Sequence, residues 1–266
     1  MNGPTFIYVD YGSSPWIGRE LRYSLATLLA EYERPKVVVY TDKPDVYASL
    51  HASVSARALG GDLLRWTRAG AYNHRIKPCV LIDALATQGG LGVLLDTDSY
   101  IAEGFAAALV QATRLGPAMD HFERLDPYPE IAGWSMNLPS RAYSYDGLES
   151  LTFNSGLTAA LAGRDETALE DALALIDALW DAGRRMATLE QVAVSEAFRL
   201  HGRPIGEMRP TFQHYCRPSL KRYMHWRLDD WARNATGLRP TRPCIAHPRW
   251  RERAFNHVNK WGRWYT

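Results

Sequence analysis

Apolar residues arrive along this chain in two rhythms, continuous short runs and a helical three-to-four spacing. Residues 6–10, FIYVD, form an apolar run that closes on Asp10 and a Gly-Ser-Ser-Pro turn, which reads as a strand. Ile17, Leu21, Leu25, Leu28 and Tyr32 then recur at helical spacing, so an amphipathic helix is expected up to Pro35. Residues 37–40, VVVY, return to a continuous run of the kind found in strands buried on both faces. Strand, helix and strand in this order imply a right-handed crossover within an α/β sheet. Residues 43–72 are less regular, with Gly60-Gly61 marking a turn.

A second helix is expected from Asn73, with Pro78 tolerable in its first turns, and Gly89-Gly90 ends it. Residues 91–95, LGVLL, read as another strand, running directly into Asp96-Thr97-Asp98. Residues 120–150 are rich in Pro, Tyr, Asp and Gly and read as a long loop region, of a size that is usually functional. A short strand over 151–153 and helices over 165–181 and 188–200 follow. The expected architecture is one α/β domain over 1–216, followed by a C-terminal extension over 217–266.

Composition adds little until charge is placed along the chain. The 266 residues, 46% hydrophobic and 23% charged, exclude a mainly disordered chain. The chain has no apolar run of membrane-spanning length and no secretory signal pattern at its start, so a cytoplasmic protein is expected. Cys79, Cys216 and Cys244 are scattered, suggesting neither a disulfide framework nor a cysteine zinc site. Net charge is +2, yet residues 217–266 hold twelve Lys/Arg against three Asp/Glu and five of the nine tryptophans. Such a segment suits peripheral contact with an anionic membrane face, or simply packs its Trp rings on the body. No recognition motif accompanies the charge, so no nucleic-acid partner is expected.

The candidate chemistry begins at Asp96-Thr97-Asp98. Side chains alternate along a strand, so Asp96 and Asp98 share a side at its C-terminal end, where open α/β sheets bind ligands. Two adjacent carboxylates repel, and an oxygen-preferring divalent cation with a bound phosphate relieves that repulsion.

A hydrophobic strand ending in DxD, preceded by a segment carrying Arg75 and Lys77, resembles the nucleotide-sugar glycosyltransferases of the GT-A fold, and in particular the retaining group containing glycogenin and the lipopolysaccharide galactosyltransferases. The resemblance runs over most of the chain as ordered landmarks. It implies a Rossmann-like GT-A domain with a mixed, mainly parallel central sheet flanked by helices, plus the basic, Trp-rich extension. It implies that Asp10 and Tyr11 meet the nucleobase, that Asp42 ends a second nucleotide-contacting edge, and that Arg75 or Lys77 meets the phosphates. Residues two apart on a helix face nearly opposite ways, so only one of that pair is expected at the ligand. Asp96 and Asp98 would hold Mn2+ or Mg2+, with His247 as third ligand; His214, His225 and His257 are rivals for that place. Asn154 in Phe-Asn-Ser-Gly-Leu resembles the family's turn beside the donor sugar, Asp120 its donor-sugar carboxylate, and Lys260 its closing diphosphate contact. Glu190-Gln191 resembles an acidic-Gln pair at a helix start; Thr188 and Gln191 also fit a capping box.

The implied reaction moves a hexose from a nucleoside diphosphate, UDP by family habit, to a hydroxyl of a glycan or lipid-linked glycan. An inverting enzyme would use Glu190 or Asp120 as base, whereas a retaining one would place Glu190 or Gln191 beside the donor sugar, and the landmarks favour retention. Two rivals stand beside this reading. One is a haloacid-dehalogenase-like phosphatase using the first DxD carboxylate as nucleophile, although its late acidic pair after a strand is missing: Asp229-Asp230 lies in a helical-looking stretch. The other is a non-catalytic carbohydrate-binding protein on the same fold.

Overall fold

A computed structural model describes residues 3–123, 128–234 and 238–243. The first strand, β1 (Thr5–Asp10), leads into α1 (Pro15–Glu31) and then β2 (Lys36–Thr41). β2 aligns parallel to β1, residue for residue from Thr5 opposite Lys36 to Asp10 opposite Thr41. Residues 43–72 are more regular than their sequence suggests: α2 (Pro44–Ala48), β3 (Val54–Ala58) and α3 (Asp62–Trp66) lie there, with β3 parallel to β2. At the sheet's edge β3 carries polar Ser55 and Arg57 among small residues, so no apolar run announces it.

A single 3-10 turn, Asn73–Arg75, opens α4 (Ile76–Gln88), and β4 (Leu91–Leu95) follows, parallel to β1 on the side away from β2. Next come β5 (Ser99–Ile101), α5 (Phe105–Ala112) and β6 (Ala118–Met119). The stretch expected as one long loop contains β7 (Phe122–Glu123) and a hairpin of β8 (Ser135–Asn137) and β9 (Ala142–Ser144). Then β10 (Thr152–Phe153) pairs with β7, and β11 (Leu157–Leu161) runs antiparallel between β4 and β6. The remaining elements are α6 (Glu166–Asp181), α7 (Leu189–Leu200), β12 (Gly206–Glu207), β13 (Phe212–His214) and α8 (Pro218–Asn234).

The central sheet has seven strands in the order β12-β6-β11-β4-β1-β2-β3, mixed and mostly parallel. Helices cover both faces, and strand alternation sorts the core between them. Phe6, Tyr8, Val37, Val39, Val93 and Leu95 pack with Leu21, Leu25 and Leu28 of α1 and Phe105 and Leu109 of α5. Ile7, Val38, Tyr40 and Leu94 face the other way, toward Val80 and Leu81 of α4, Leu169 of α6 and Phe198 of α7. Each such side chain contributes about 1.5–3 kcal/mol on burial, which is why both faces must be covered. The chain leaves β1 in one direction for β2 and β3 and later returns to its other side with β4. The crevice above β1 and β4 is therefore the topological switch point, where open α/β sheets hold ligands.

The part of the basic segment described here is integral to the body. Leu220, Tyr223, Met224 and Leu228 of α8 are buried with Tyr23 and Tyr100, and Trp231 packs edge-on against Tyr23. His225 stacks on Trp16 of α1 with ring centroids 4.0 Å apart. Trp226 by contrast stays half exposed. Among the described residues no helix is long and apolar enough to cross a membrane.

Candidate active site

A cleft of about 580 Å³ opens over the C-terminal ends of β1 and β4. Asp96 and Asp98 stand at its floor, directly after β4, where the Asp96 N–H donates to the Gly156 carbonyl at 2.8 Å and fixes the turn. Leu91–Leu95 is buried as a strand, and the chain can release two carboxylates only where the apolar run stops.

The histidine that meets them is His214. It ends β13, whose antiparallel pairing with β5 sets His214 opposite Ser99, one residue past the DxD. His214 Nε2 lies 3.2 Å from Asp98 Oδ1 and 3.5 Å from Asp96 Oδ2. Ligand atoms of the three residues all fall within 4.8 Å of one another. The other ring nitrogen, Nδ1, donates to Asn154 Oδ1 at 2.9 Å, which fixes the ring and leaves Nε2, a donor to the carboxylates in the imidazolium, as the nitrogen that would exchange its proton for a cation. Asn154 is held in turn, because its Oδ1 also accepts from the Gly156 N–H at 2.9 Å. His247, the expected third ligand, and Lys260 lie outside the described residues.

Two lysines flank the carboxylates. Lys77 Nζ donates to Asp96 Oδ2 at 2.7 Å, and Lys221 Nζ, from α8, donates to Asp98 Oδ2 at 2.9 Å. Burial works against both ammonium groups, yet neighbouring carboxylates, chiefly Asp96 for Lys77 and Asp98 for Lys221, hold both pKa values above the ordinary lysine value. Burial would raise the Asp98 carboxyl, but the His214 hydrogen bond and Lys221 keep it well below the usual carboxylate range. Burial likewise opposes the His214 imidazolium, and hydrogen bonds to Asp98 and Cys216 with the charge of Asp96 push it up to about 10. The donor set of two carboxylates and one imidazole fits a divalent cation of the Mn2+ kind. No protein-family model and no curated protein matches the chain. The assignment of this cleft therefore rests on its own geometry.

Arg75 and Lys77 part company as helical phase requires. While Lys77 turns to Asp96, Arg75 faces α6 and grips Asp177 through Nε and Nη2 at 2.7 and 2.8 Å, so it is not a phosphate contact here. Asp10 does not present its carboxylate to the cleft either: it is buried, accepts from the Tyr47 hydroxyl and lies 3.8 Å from Lys43 Nζ. Asp42 accepts from the Gly12 N–H at 3.0 Å and shapes the turn after β1. Tyr11 does line the cleft, with Val9, Ile17 and Ile76.

Asp120 is fully buried behind His214 rather than in the cleft, which removes it as a base acting on a bound acceptor. Arg209 Nε lies 3.3 Å from its Oδ1, and His121 Nδ1 and His214 Nδ1 lie 3.1 and 3.8 Å from its Oδ2. Glu190 and Gln191 line the cleft from the first turn of α7, but the capping box is not formed: the Thr188 side chain makes no cap hydrogen bond. Instead the Glu190 N–H donates to the Tyr72 hydroxyl at 2.8 Å, and the Glu190 carboxyl accepts from Ser155 Oγ at 2.8 Å. Burial raises the Glu190 carboxyl to about 7, against the lowering influence of Lys77.

Among the cleft residues that escape sequence reasoning are Lys221, Glu20 and Glu123. Lys221 sat in a segment read as an extension. Glu20 of α1 lines the cleft and accepts from His225 Nε2 at 2.7 Å, and burial raises its pKa against Lys221 and His225. Glu123 ends β7 inside the supposed loop and receives the Asn154 and Gln191 side-chain amides at 2.7 Å each. Asp229, half of the acidic pair that the phosphatase reading needs after a strand, is on α8 and pairs with Arg19.

Proposed function

We propose that this protein is a metal-dependent glycosyltransferase that moves a hexose from a nucleoside diphosphate, UDP in the first instance, to a hydroxyl of a glycan or lipid-linked glycan. The observation that carries the reading is the convergence of Asp96, Asp98 and His214 with Lys77 and Lys221 at the topological switch point. A phosphatase needs a carboxylate free to attack phosphorus, whereas Asp96 and Asp98 are each tied to a lysine and to His214.

Asp96, Asp98 and His214 would hold Mn2+ or Mg2+, which when bound supplies positive charge for a diphosphate. Lys77 and Lys221 add fixed charge at the same place, so the charge that develops on the leaving diphosphate is met by groups already oriented. Tyr11, with Val9 and Ile17, offers an aromatic and apolar surface for the nucleobase. Glu190, with a pKa near neutrality, is suited to exchange a proton with a bound hydroxyl close to working pH. Retention is the preferred stereochemical outcome, with Glu190 and Gln191 beside the donor sugar. The half-exposed Trp226, with Arg227 beside its ring, supports peripheral contact with a cytoplasmic membrane face, where a lipid-linked acceptor would reside.

The test is release of UDP from UDP-glucose and UDP-galactose, with an acceptor pool of glycans, in the presence of Mn2+. The wild type should release UDP in a metal-dependent manner and Asp98→Asn should not. Equal release by both proteins would contradict the reading.

A further inference from the structure

Glu123 is the cleft carboxylate that neutral amides, rather than lysines, hold in place. Asn154 Nδ2 donates to Oε1 and Gln191 Nε2 to Oε2, both at 2.7 Å. The Asn154 amide cannot turn over, because its own Oδ1 already accepts from the Gly156 N–H and from His214 Nδ1. Among the described residues no lysine or arginine pairs with Glu123, and a neighbouring imidazole is that of His121, its Nε2 at 3.6 Å. Asp96 and Asp98, by contrast, each have a lysine. Each Glu123 oxygen accepts one amide hydrogen and keeps capacity for another, so what binds there should be rich in donors.

Sheet order locates that donor-rich group. Tyr11 follows β1, Asp96 follows β4, and Asn154 and Ser155 precede β11; these three strands are neighbours in the sheet. At about 4.8 Å per strand step, the cleft runs from the aromatic end, over the carboxylates and lysines, to Glu123 and Asn154 in about 10 Å. A nucleoside, a diphosphate and a sugar are joined in that same order.

We infer that Glu123 is the sugar-recognising residue of the cleft, accepting hydrogen bonds from vicinal hydroxyls of the hexose, with Asn154 and Gln191 as positioning residues that fix its plane. The inference rests on the nucleotide-sugar reading above. It moves recognition of the sugar from Asn154, whose Oδ1 already accepts twice and whose Nδ2 donates to Glu123, to the carboxylate that the amide holds.

The experiment compares UDP with UDP-glucose and UDP-galactose by calorimetry in Mn2+, on wild type and on Glu123→Gln, whose new amide sets a donor against the donors of Asn154 or Gln191. The wild type should bind UDP and at least one of the two hexosides. In Glu123→Gln the UDP Kd should stay within about threefold, while the hexoside Kd rises about tenfold or more, as loss of hydrogen bonds to a charged group implies. An unchanged ratio of the two Kd values would overturn the Glu123 assignment alone, as would a wild type that binds UDP and neither hexoside. A wild type that binds no UDP would overturn the nucleotide-sugar reading and this assignment with it. If Glu123→Gln loses UDP as well, Glu123→Asp decides: it keeps the charge but cannot span both amides, and the same change in ratio is expected, its absence being fatal.

Discussion

Gly156 and His214 are so closely apposed that a β-carbon at 156 would stand 2.3 Å from His214 Nδ1. The glycine in Asn-Ser-Gly is therefore required by a neighbouring side chain rather than by a ligand against the backbone. Gly156 also gives its N–H to Asn154 Oδ1 and its carbonyl to Asp96, so one residue ties the histidine, the amide and the first carboxylate together.

Gly156→Ala should displace His214 and break the three-residue set. The expected result is a loss of Mn2+ affinity of about tenfold or more, with the far-ultraviolet circular dichroism retained, because the strain falls on one side chain at the sheet's end. Mn2+ titration followed by electron paramagnetic resonance checks it.

Lys221 competes with a cation for Asp98. Its ammonium is 2.9 Å from Asp98 Oδ2, so Lys221→Met removes a like charge from the candidate metal site. Mn2+ alone should bind the variant more tightly, by about tenfold or more even at the dielectric of water, whereas UDP in the presence of Mn2+ should bind more weakly by about tenfold. Opposite signs for the two ligands distinguish this account from simple unfolding.

Arg75→Ala should act on stability and leave ligands alone. Its guanidinium ties the turn before α4 to Asp177 of α6, and its loss should cost about 2 kcal/mol, while the Kd for UDP with Mn2+ is unchanged. Urea denaturation and calorimetry on the same preparation separate the two.

Those two charged residues also show what the sequence can convey. The expected strand before the DxD and the opposed directions of Arg75 and Lys77 follow from local periodicity, whereas Asn154, Glu190 and Gln191 are expected near it only from the resemblance to a family; the structure brings all three to the same cleft. Which histidine completes the set is a non-local matter, decided by the pairing of β13 with β5 across more than a hundred residues. Phe212 and His214 do alternate around Gln213 as a short strand would, a faint signal at best. Asp10 and Asp42 end strands as nucleotide contacts would, but the Tyr47 hydroxyl and the Gly12 N–H, on other segments, each take one of their oxygens, and Asp10 is buried. Glu123 was hidden because a two-residue strand has no periodicity to read.

Glu190 makes stability depend on pH with a definite sign. Its carboxyl has a pKa of about 7 in the fold, above the ordinary 4.5, so the folded state holds that proton more tightly. The stabilisation is complete below the unfolded pKa and is lost as pH rises through about 7. Glu190→Gln has no such loss. Between about pH 5 and about pH 8 the wild type should lose about 2 kcal/mol relative to the variant, measured by urea denaturation at both values. A constant difference between the two proteins would show that Glu190 does not titrate in this window.

The central claim is that Asp96, Asp98 and His214 hold a divalent cation that, with Lys77 and Lys221, binds a nucleoside diphosphate. Calorimetric titration of UDP, with and without Mn2+, on the wild type, Asp98→Asn and His214→Ala tests it most directly. The account predicts Mn2+-dependent binding to the wild type, lost in both variants while their folds persist. Binding that ignores Mn2+, or that survives both substitutions, would contradict it.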